Sequence, residues 1–382
     1  MDNTIKILFS GDFAPSSGFE KLVLDKKENI FGDALNLIKH SDISFVNLEC
    51  PLTKHNTPIK KSGPHIKASP GCVEALKFFD IVGLANNHSM DFGSQGLQDT
   101  ISACNSYNLC TAGAGMNLVE AQKAKVIKRK DFNIAIIAIA EHEFSIANNS
   151  SPGAAPLDVI ENTNQILEAK KEADLVFVTI HGGNEYFQYP RPNLRKVCKY
   201  FVEIGVDGIF CHHPHVPGSY EIYKEKPVVY GMGNLIFDKK NPPKGWNKGY
   251  MVSVSFDAAL KQLTNFEIFP YEQSIAKEGI KLLENSEKKE FMLEIQELNN
   301  KLADSKTYID EWEKFTEKKA KDTLVSMFFP YAFRGFSRLS RFLPIDKLIN
   351  PKKEISKRLN LLRCESHQEL LQSILEKKYR DQ

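Results

Sequence analysis

The sequence lacks the features that mark secreted, membrane-spanning or strongly charged chains. Its seven cysteines are scattered, with no CxxC pair, an odd and unpatterned set that suggests reduced thiols rather than a disulfide framework. No apolar run is long enough to cross a bilayer, and residues 5–9 read as a strand rather than as the core of a secretory leader. Neither sign of charge dominates: 50 Lys and Arg face 48 Asp and Glu, net +2. Composition as a whole therefore points to neither nucleic acid nor membrane. No internal repeat is visible, and these absences together lead to the expectation of a cytoplasmic protein.

What is present is a long chain with ample apolar material. At 382 residues and 42% hydrophobic content, one large core plus an appendage is expected. From residue 5 to about 270, short β-rich runs alternate with helical patterns, which predicts an α/β fold. The strand candidates are 5–10, 43–48, 80–85, 134–140, 175–180, 208–211, 228–231 and 250–256. Several are nearly continuous apolar runs, as in strands covered on both faces. Helical patterns fall at 31–40, 93–107, 160–171 and 193–204.

Polar residues follow the strands in a telling way. Asp12 ends the first, Glu49 the second and Asn86-Asn87-His88 the third; His181 and His212-His213-Pro214-His215 end two later ones. Open α/β sheets bind ligands beyond the carboxyl ends of their strands, so these groups are expected on one rim. Carboxylate, amide oxygen and imidazole are the ligand types of a hydrolytic metal centre, which also needs an open position for water. Two His at i and i+2, as in His213 and His215, can share one ion or split between two. Each piece alone has a plainer reading: Gly11-Asp12 as a strand-end turn, Asn87-His88 as a turn or helix cap, His181 as a structural histidine. The ordered series is stronger than any member.

The same segments resemble the CapA family of poly-γ-glutamate capsule synthesis proteins, itself related to calcineurin-like metallophosphoesterases. The resemblance rests on Gly11-Asp12, Asn47-Leu48-Glu49-Cys50-Pro51-Leu52-Thr53, Ala85-Asn86-Asn87-His88-Ser89-Met90-Asp91-Phe92-Gly93, His181-Gly182-Gly183-Asn184-Glu185-Tyr186, His213-Pro214-His215-Val216 and Tyr230-Gly231-Met232-Gly233-Asn234-Leu235-Ile236-Phe237. In order and rough spacing they cover about residues 5–256. It implies a metallophosphoesterase-like layered sheet core flanked by helices. It further implies divalent metal, one or two ions of Mn, Fe or Zn, with Asp12, Glu49, Asn87, His181, His213 and His215 as ligands. Glu49 falls at the bridging position. The resemblance makes His88 the residue that assists the leaving group, with Asp91 orienting it, and Glu185 a supporting carboxylate or base. Asn234 is expected to line the pocket.

The departures are specific. The first motif reads Asp12-Phe13-Ala14, without the usual imidazole, so one metal position is expected to be short of a ligand. Gly182 replaces a common Trp, and Gly218 stands where Gln is frequent. Cations near the motifs, Lys54, Lys60, Lys61 and Lys67 after Glu49 and Arg191 and Arg195 after His181, are candidates for binding an anionic substrate; Lys67, Arg191 and Arg195 are singled out with Asn234. The expected activity is hydrolysis or transfer at a phosphoester or γ-glutamyl-type bond in capsule or cell-surface polymer metabolism. The alternative is a non-catalytic accessory protein that binds an anionic polymer or a synthase complex through a degenerate crevice.

After Pro270 the character changes. Residues 1–270 are taken as the α/β domain and 271–382 as a mainly helical extension: charged amphipathic helix over 272–322, then a basic-aromatic stretch from 328 to 363. That stretch has two readings, a peripheral contact with an anionic membrane surface or packing on the α/β domain. Pro330, Gly335, Pro344 and Pro351 break it into short pieces.

Overall fold

The computed structural model describes residues 4–328 and 352–380. Most of the basic-aromatic stretch, residues 329–351, lies outside the described residues, and so does the membrane-contact reading placed on it. No helix among the described residues is long and apolar enough to cross a membrane.

Among the described residues, sixteen strands form two large sheets and one small pair. In chain order they are β1 (Thr4–Ala14), β2 (Ile43–Leu48), β3 (Ile81–Gly83), β4 (Cys110–Ala112), β5 (Ala114–Gly115), β6 (Lys125–Arg129), β7 (Phe132–Ala140), β8 (Gly153–Ala154), β9 (Leu175–His181), β10 (Gly208–His212), β11 (Tyr220–Tyr223), β12 (Lys226–Val229), β13 (Asn234–Phe237), β14 (Lys248–Asp257), β15 (Gln262–Ser274) and β16 (Gly279–Leu282). The first sheet runs β16-β15-β14-β1-β2-β3-β4, with β13 also paired to β1; the second runs β11-β12-β10-β9-β7-β6. β1 to β4 are parallel to one another, as are β7, β9, β10 and β12.

The two sheets pack face to face, and side-chain alternation shows why. Along β7, Ile134, Ile136 and Ala138 enter a core shared by both sheets, while Ala135, Ile137 and Ile139 enter a second core under helices. Ile5, Ile7 and Phe9 of β1 face the same inter-sheet core, and Leu8 points to the outer face. Period-2 alternation with both sets apolar is what a doubly covered strand requires. The ring of Phe9 stacks on Phe210 of β10 at 3.6 Å and meets Phe177 of β9 at 5.7 Å, joining one sheet to the other.

Helices cover the outer faces. α1 (Gly18–Lys26), α2 (Ala34–Lys39) and α3 (Gly93–Ser106) lie on the first sheet through Phe19, Ile38 and Leu97. α4 (Leu118–Ala121) is a single turn; α5 (Val159–Glu172) and α6 (Pro192–Glu203) cover the second sheet through Ile166, Leu194 and Phe201. Asp158 caps α5 by accepting from the backbone N–H groups of Ile160 and Glu161. Pro192 opens α6 at a position where no N–H is needed.

The stretch read as helix from residue 272 is corrected at its start. Residues 272–274 belong to β15 and 279–282 form β16, so helix begins at α7 (Asn285–Ala303). Glu and Lys set the reading of this segment, but Tyr271 and Gln273 alternate inward, and Gln273 is tied to both backbone groups of Phe237. α7 is followed by α8 (Ser305–Phe328), α9 (Lys352–Arg363) and α10 (Glu365–Arg380). These helices share the cores of the sheets: Phe291 and Ile295 enter the inter-sheet core, and Leu302, Tyr308, Trp312, Leu370 and Ile374 enter the outer one.

Candidate metal centre

The parallel strands of both sheets end on one rim, and the polar groups that follow them meet there. β1 delivers Asp12 through an irregularity: its pairing with β2 shifts register between Ser10 and Asp12. Gly11 is needed at that point, because a Cβ there would lie 2.1 Å from the carbonyl oxygen of Gly233. His213 and His215 both hold left-handed backbone conformations, with φ of 93° and 59°. Such conformations cost about 1–3 kcal/mol each and persist where the surroundings dictate a side-chain direction.

All six predicted ligand positions converge. Asp12, Glu49 and His181 bring ligand atoms within 4.8 Å of one another, and so do Glu49, His213 and His215. Glu49 is common to both sets. Asn87 joins them, with Oδ1 3.1 Å from His181 Nε2, and His213 Nδ1 lies 3.2 Å from that same nitrogen.

The decisive feature is Glu49. Its carboxylate is fully buried, and neither oxygen has a hydrogen-bond donor. Burial first, and then the neighbouring Asp12 charge, push its pKa well above the ordinary carboxylate range. Burial also pushes Asp12 up, but the hydrogen bonds of His212 and His215 outweigh it and hold that carboxyl well below its usual value. His181 is driven towards the neutral form by burial and by His213. A buried carboxylate without donors, set among imidazoles and a second carboxylate, is a donor set suited to a divalent cation, whose charge would favour the ionised form of Glu49. The residues fit the group.

Surrounding side chains bond to the cluster. Asn234 donates from Nδ2 to the carbonyls of His215 and Trp246, both at 3.1 Å, so its Oδ1 accepts from His215 Nδ1 at 3.0 Å. That contact turns His215 Nε2 towards Glu49, 3.7 Å away. Asn234, expected to bind substrate, is instead bonded to His215, one of the candidate ligands. Asn47 donates to Asp12 at 2.7 Å and lies 3.3 Å from His181 Nδ1. His212 Nδ1 sits 3.1 Å from Asp12. Asn47 stands inside a quoted motif and His212 opens the histidine run, but neither was given a task of its own from sequence, because only their contacts show them bonded to Asp12.

Beside this cluster opens a cleft of about 390 Å³, lined by Lys61, His88, Glu185, Tyr186, Trp246 and Lys239 among others. His88 Nδ1 is 2.7 Å from Asp91 Oδ2, and Lys61 pairs with the other oxygen of Asp91. Burial and the Lys61 charge lower the His88 pKa although Asp91 opposes them, so the ring is neutral. Asp91 accepts only, so the proton sits on Nδ1 and Nε2 is left for the cleft. Glu185 is pushed up by burial but held down to about 2 by His215 and His213.

Three expected substrate contacts are corrected. Arg191 is 1% exposed and ion-paired with Glu141 and Glu369. Arg195 forms a two-pronged pair with Glu221 at 2.8 and 2.9 Å, and its guanidinium lies over Tyr308. Lys67 donates to the carbonyl of His55 at 2.6 Å and lies over Phe92. Each cation is spent on a protein partner. The loop lysine that does line the cleft is Lys61, and Lys239 reaches it from beyond β13.

A two-sheet α/β protein with a carboxylate shared between two imidazole-bearing ligand sets is the class that these observations define. Residues 6–239 match the family described as bacterial capsule synthesis protein PGA_cap, and the chain belongs to that family. It is 32% identical over 255 residues to the PGA biosynthesis protein CapA of Bacillus subtilis, covering 65% of this chain and 66% of that protein. It is 31% identical over 230 residues to the capsule biosynthesis protein CapA of Bacillus anthracis, covering 57% of this chain and 55% of that one. The match thus spans under two thirds of these relatives' lengths. Among solved structures, a phosphatase from Mycoplasma pneumoniae superposes with a TM-score of 0.44 and 16% identity, covering 71% of this chain and 94% of that one. A 5'-nucleotidase precursor from Thermus thermophilus gives 0.42 and 12%, covering 70% and 54%. Overlap at this level supports no statement about chemistry.

Proposed function

We propose that the chain is a metal-dependent hydrolase or transferase of capsule or cell-surface polymer metabolism, acting at a phosphoester or γ-glutamyl-type bond. The observation that carries this reading is the buried, donor-less carboxylate of Glu49 shared by two ligand sets. Asp12 and His181 with Glu49 would hold one divalent cation, and His213 and His215 with Glu49 a second, Asn87 standing beside His181. Bound there, such ions supply Lewis acidity and a water acidic enough to ionise near neutrality.

The protein's own groups do the rest. Neutral His88 offers Nε2 to take a proton from the attacking nucleophile and return it to the leaving group, while Asp91 fixes the ring. Burial pushes Asp91 up, but the hydrogen bond of His88 and then the Lys61 charge hold it below its usual value. Lys239, hydrogen-bonded to Tyr186 at 2.6 Å and lying over Trp246, offers a cation for an anionic substrate at the cleft mouth. Titration with Mn²⁺, followed by turnover of p-nitrophenyl phosphomonoester and phosphodiester, tests the reading. Binding of two ions with His213-dependent turnover supports it.

A second reading is favoured by Ala14, which is fully buried and offers no ligand where the first motif of phosphoesterases carries an imidazole. It is a non-catalytic accessory protein that binds an anionic polymer or a synthase complex in the same cleft. Absence of metal and of His213-dependent turnover in the same experiment would select it.

A further inference from the structure

The C-terminal helices reach the cleft, and they do so outside the residues matched to the family. At the elbow between α9 and α10, the chain is fastened to the strand-end loops by buried polar contacts. Ser366 N–H donates to Glu141 Oε2 at 3.2 Å, and Asn184 Nδ2 donates to the Ser366 carbonyl at 3.3 Å. Arg191 grips Glu141 with Nε and Nη2 at 3.2 and 2.9 Å and pairs through Nη1 with Glu369 on α10. Glu369 also accepts from Asn193 N–H at 2.8 Å, and Glu365 from His142 N–H at 2.8 Å. Gly182 makes room for this fastening, since a Cβ there would lie 2.6 Å from Glu141 Cγ.

The elbow carries Asn360 and His367 into the cleft wall, beside the loop of Lys61 and the ligands His213 and His215. Asn360 is 7% exposed; its Nδ2 is 3.0 Å from His367 Nδ1, and its Oδ1 has no hydrogen-bond partner. Nδ2 can only donate, so His367 Nδ1 accepts and the ring proton sits on Nε2. The pair therefore offers one acceptor, Asn360 Oδ1, and one donor, His367 Nε2–H.

We propose that this elbow is the specificity wall of the cleft and that Asn360 and His367 bind an amide group of the ligand. An amide supplies both complements, an N–H for Asn360 Oδ1 and a carbonyl for His367 Nε2–H. A phosphate or carboxylate oxygen would satisfy His367 but leave Asn360 Oδ1 buried and unpaired, and that penalty is what makes a polar wall selective. The proposal deepens the function argued above and rests on the metal centre as the place of the reacting bond.

The test uses the full chain, loaded with Mn²⁺ and titrated calorimetrically with γ-glutamylglutamate, which carries an amide, and with glutarate, which does not. Asn360→Leu is expected to weaken the dipeptide about 10-fold and glutarate less than about two-fold; His367→Phe is expected to weaken the dipeptide about 10-fold and glutarate, whose carboxylate can use the same donor, by a smaller factor. His367→Gln, which keeps an N–H donor, is expected to recover most of the loss. Unchanged Mn²⁺ affinity shows that each variant is folded, and Asn360→Ser serves as a second variant should the leucine disturb packing. Equal losses with both probes, no loss with either, or no binding of the dipeptide by the unsubstituted chain would overturn the proposal. Failure of the metal reading shows separately, as no Mn²⁺ uptake by the unsubstituted chain; the contrast between the two probes then still decides the elbow.

Discussion

Glu49 illustrates how a single buried group can be unfavourable for the fold and indispensable to the site. Burying Glu49 without donors and beside Asp12 disfavours its ionised form in the metal-free protein, and an ion held between Asp12, His181, His213 and His215 would remove that penalty. Replacing it with the near-isosteric Gln separates the two effects. Glu49→Gln is expected to leave the metal-free thermal midpoint at or above that of the unsubstituted protein. The rise in midpoint on adding Mn²⁺ should fall by at least half, and turnover by about 10³-fold. Scanning calorimetry with and without Mn²⁺ reads the first pair, and initial rates read the last. A lower metal-free midpoint would mean that Glu49 has a structural partner. His88 behaves differently, because it lines the cleft but belongs to neither ligand set. His88→Asn is expected to keep Mn²⁺ stoichiometry while lowering kcat by about 10²–10⁴-fold. Parallel loss of metal would instead make it a ligand. The convergence of the six candidate ligand positions was legible in the sequence because each stands at or shortly beyond the carboxyl end of a strand, where topology brings such residues to one rim. Asn234 was legible as a site residue but not in its task, since its bond to His215 depends on two carbonyls that no motif displays.

At the scale of elements, the loops after β7 and β9 and the helix α10 are joined by the Glu141–Arg191–Glu369 pin. Arg191 stood out in the sequence as a cation after His181, yet the acids that claim it lie 50 and 178 positions away, beyond any local pattern. Removing the guanidinium would leave Glu141 buried beside the elbow without its counter-charge. Arg191→Met is therefore expected to cost about 3–5 kcal/mol in urea unfolding. An Arg191 that bound substrate would raise KM and leave the unfolding midpoint alone. The neighbouring contact between His142 and Glu365 makes the docking of α10 pH-dependent. The hydrogen bond to Glu365 raises the His142 pKa above 6.5, with burial opposing. A raised folded value means that this stabilisation is complete below about pH 6.5 and is lost as pH climbs through the folded pKa. Protease cleavage within α9 and α10 should thus accelerate from pH 6 to 8.5, and His142→Gln should flatten the profile. An unchanged profile in that variant would assign the pH dependence to another group.

At the scale of the whole molecule, the α/β part was legible because its strands are apolar on both faces, so each reads as a run even without alternation. Strands with one polar face were not. The last three residues of β15 and all of β16 were taken for helix, because the Glu and Lys of the segment outweighed the alternation that brings Tyr271 and Gln273 inward. The extension was legible as mainly helical from its charge pattern, but not which cores its apolar residues would enter: they complete those begun by the sheets. Phe291 and Ile295 close the space between the two sheets, and Leu302, Tyr308, Trp312, Leu370 and Ile374 cover the face of the second. Burying side chains of this size contributes about 1.5–3 kcal/mol each, so the seven together are as large as the whole stability of a typical domain, about 5–15 kcal/mol. A chain ending at residue 284 is therefore expected to express as an aggregating or loosely packed product that binds a hydrophobic dye and shows no cooperative thermal transition. If residues 271–382 were an independent appendage, the shortened chain would melt cooperatively and keep its Mn²⁺ sites. The same logic places the cleft under the control of the extension. Asn360 and His367 can line it only because the helices that carry them are held by the core they help to finish.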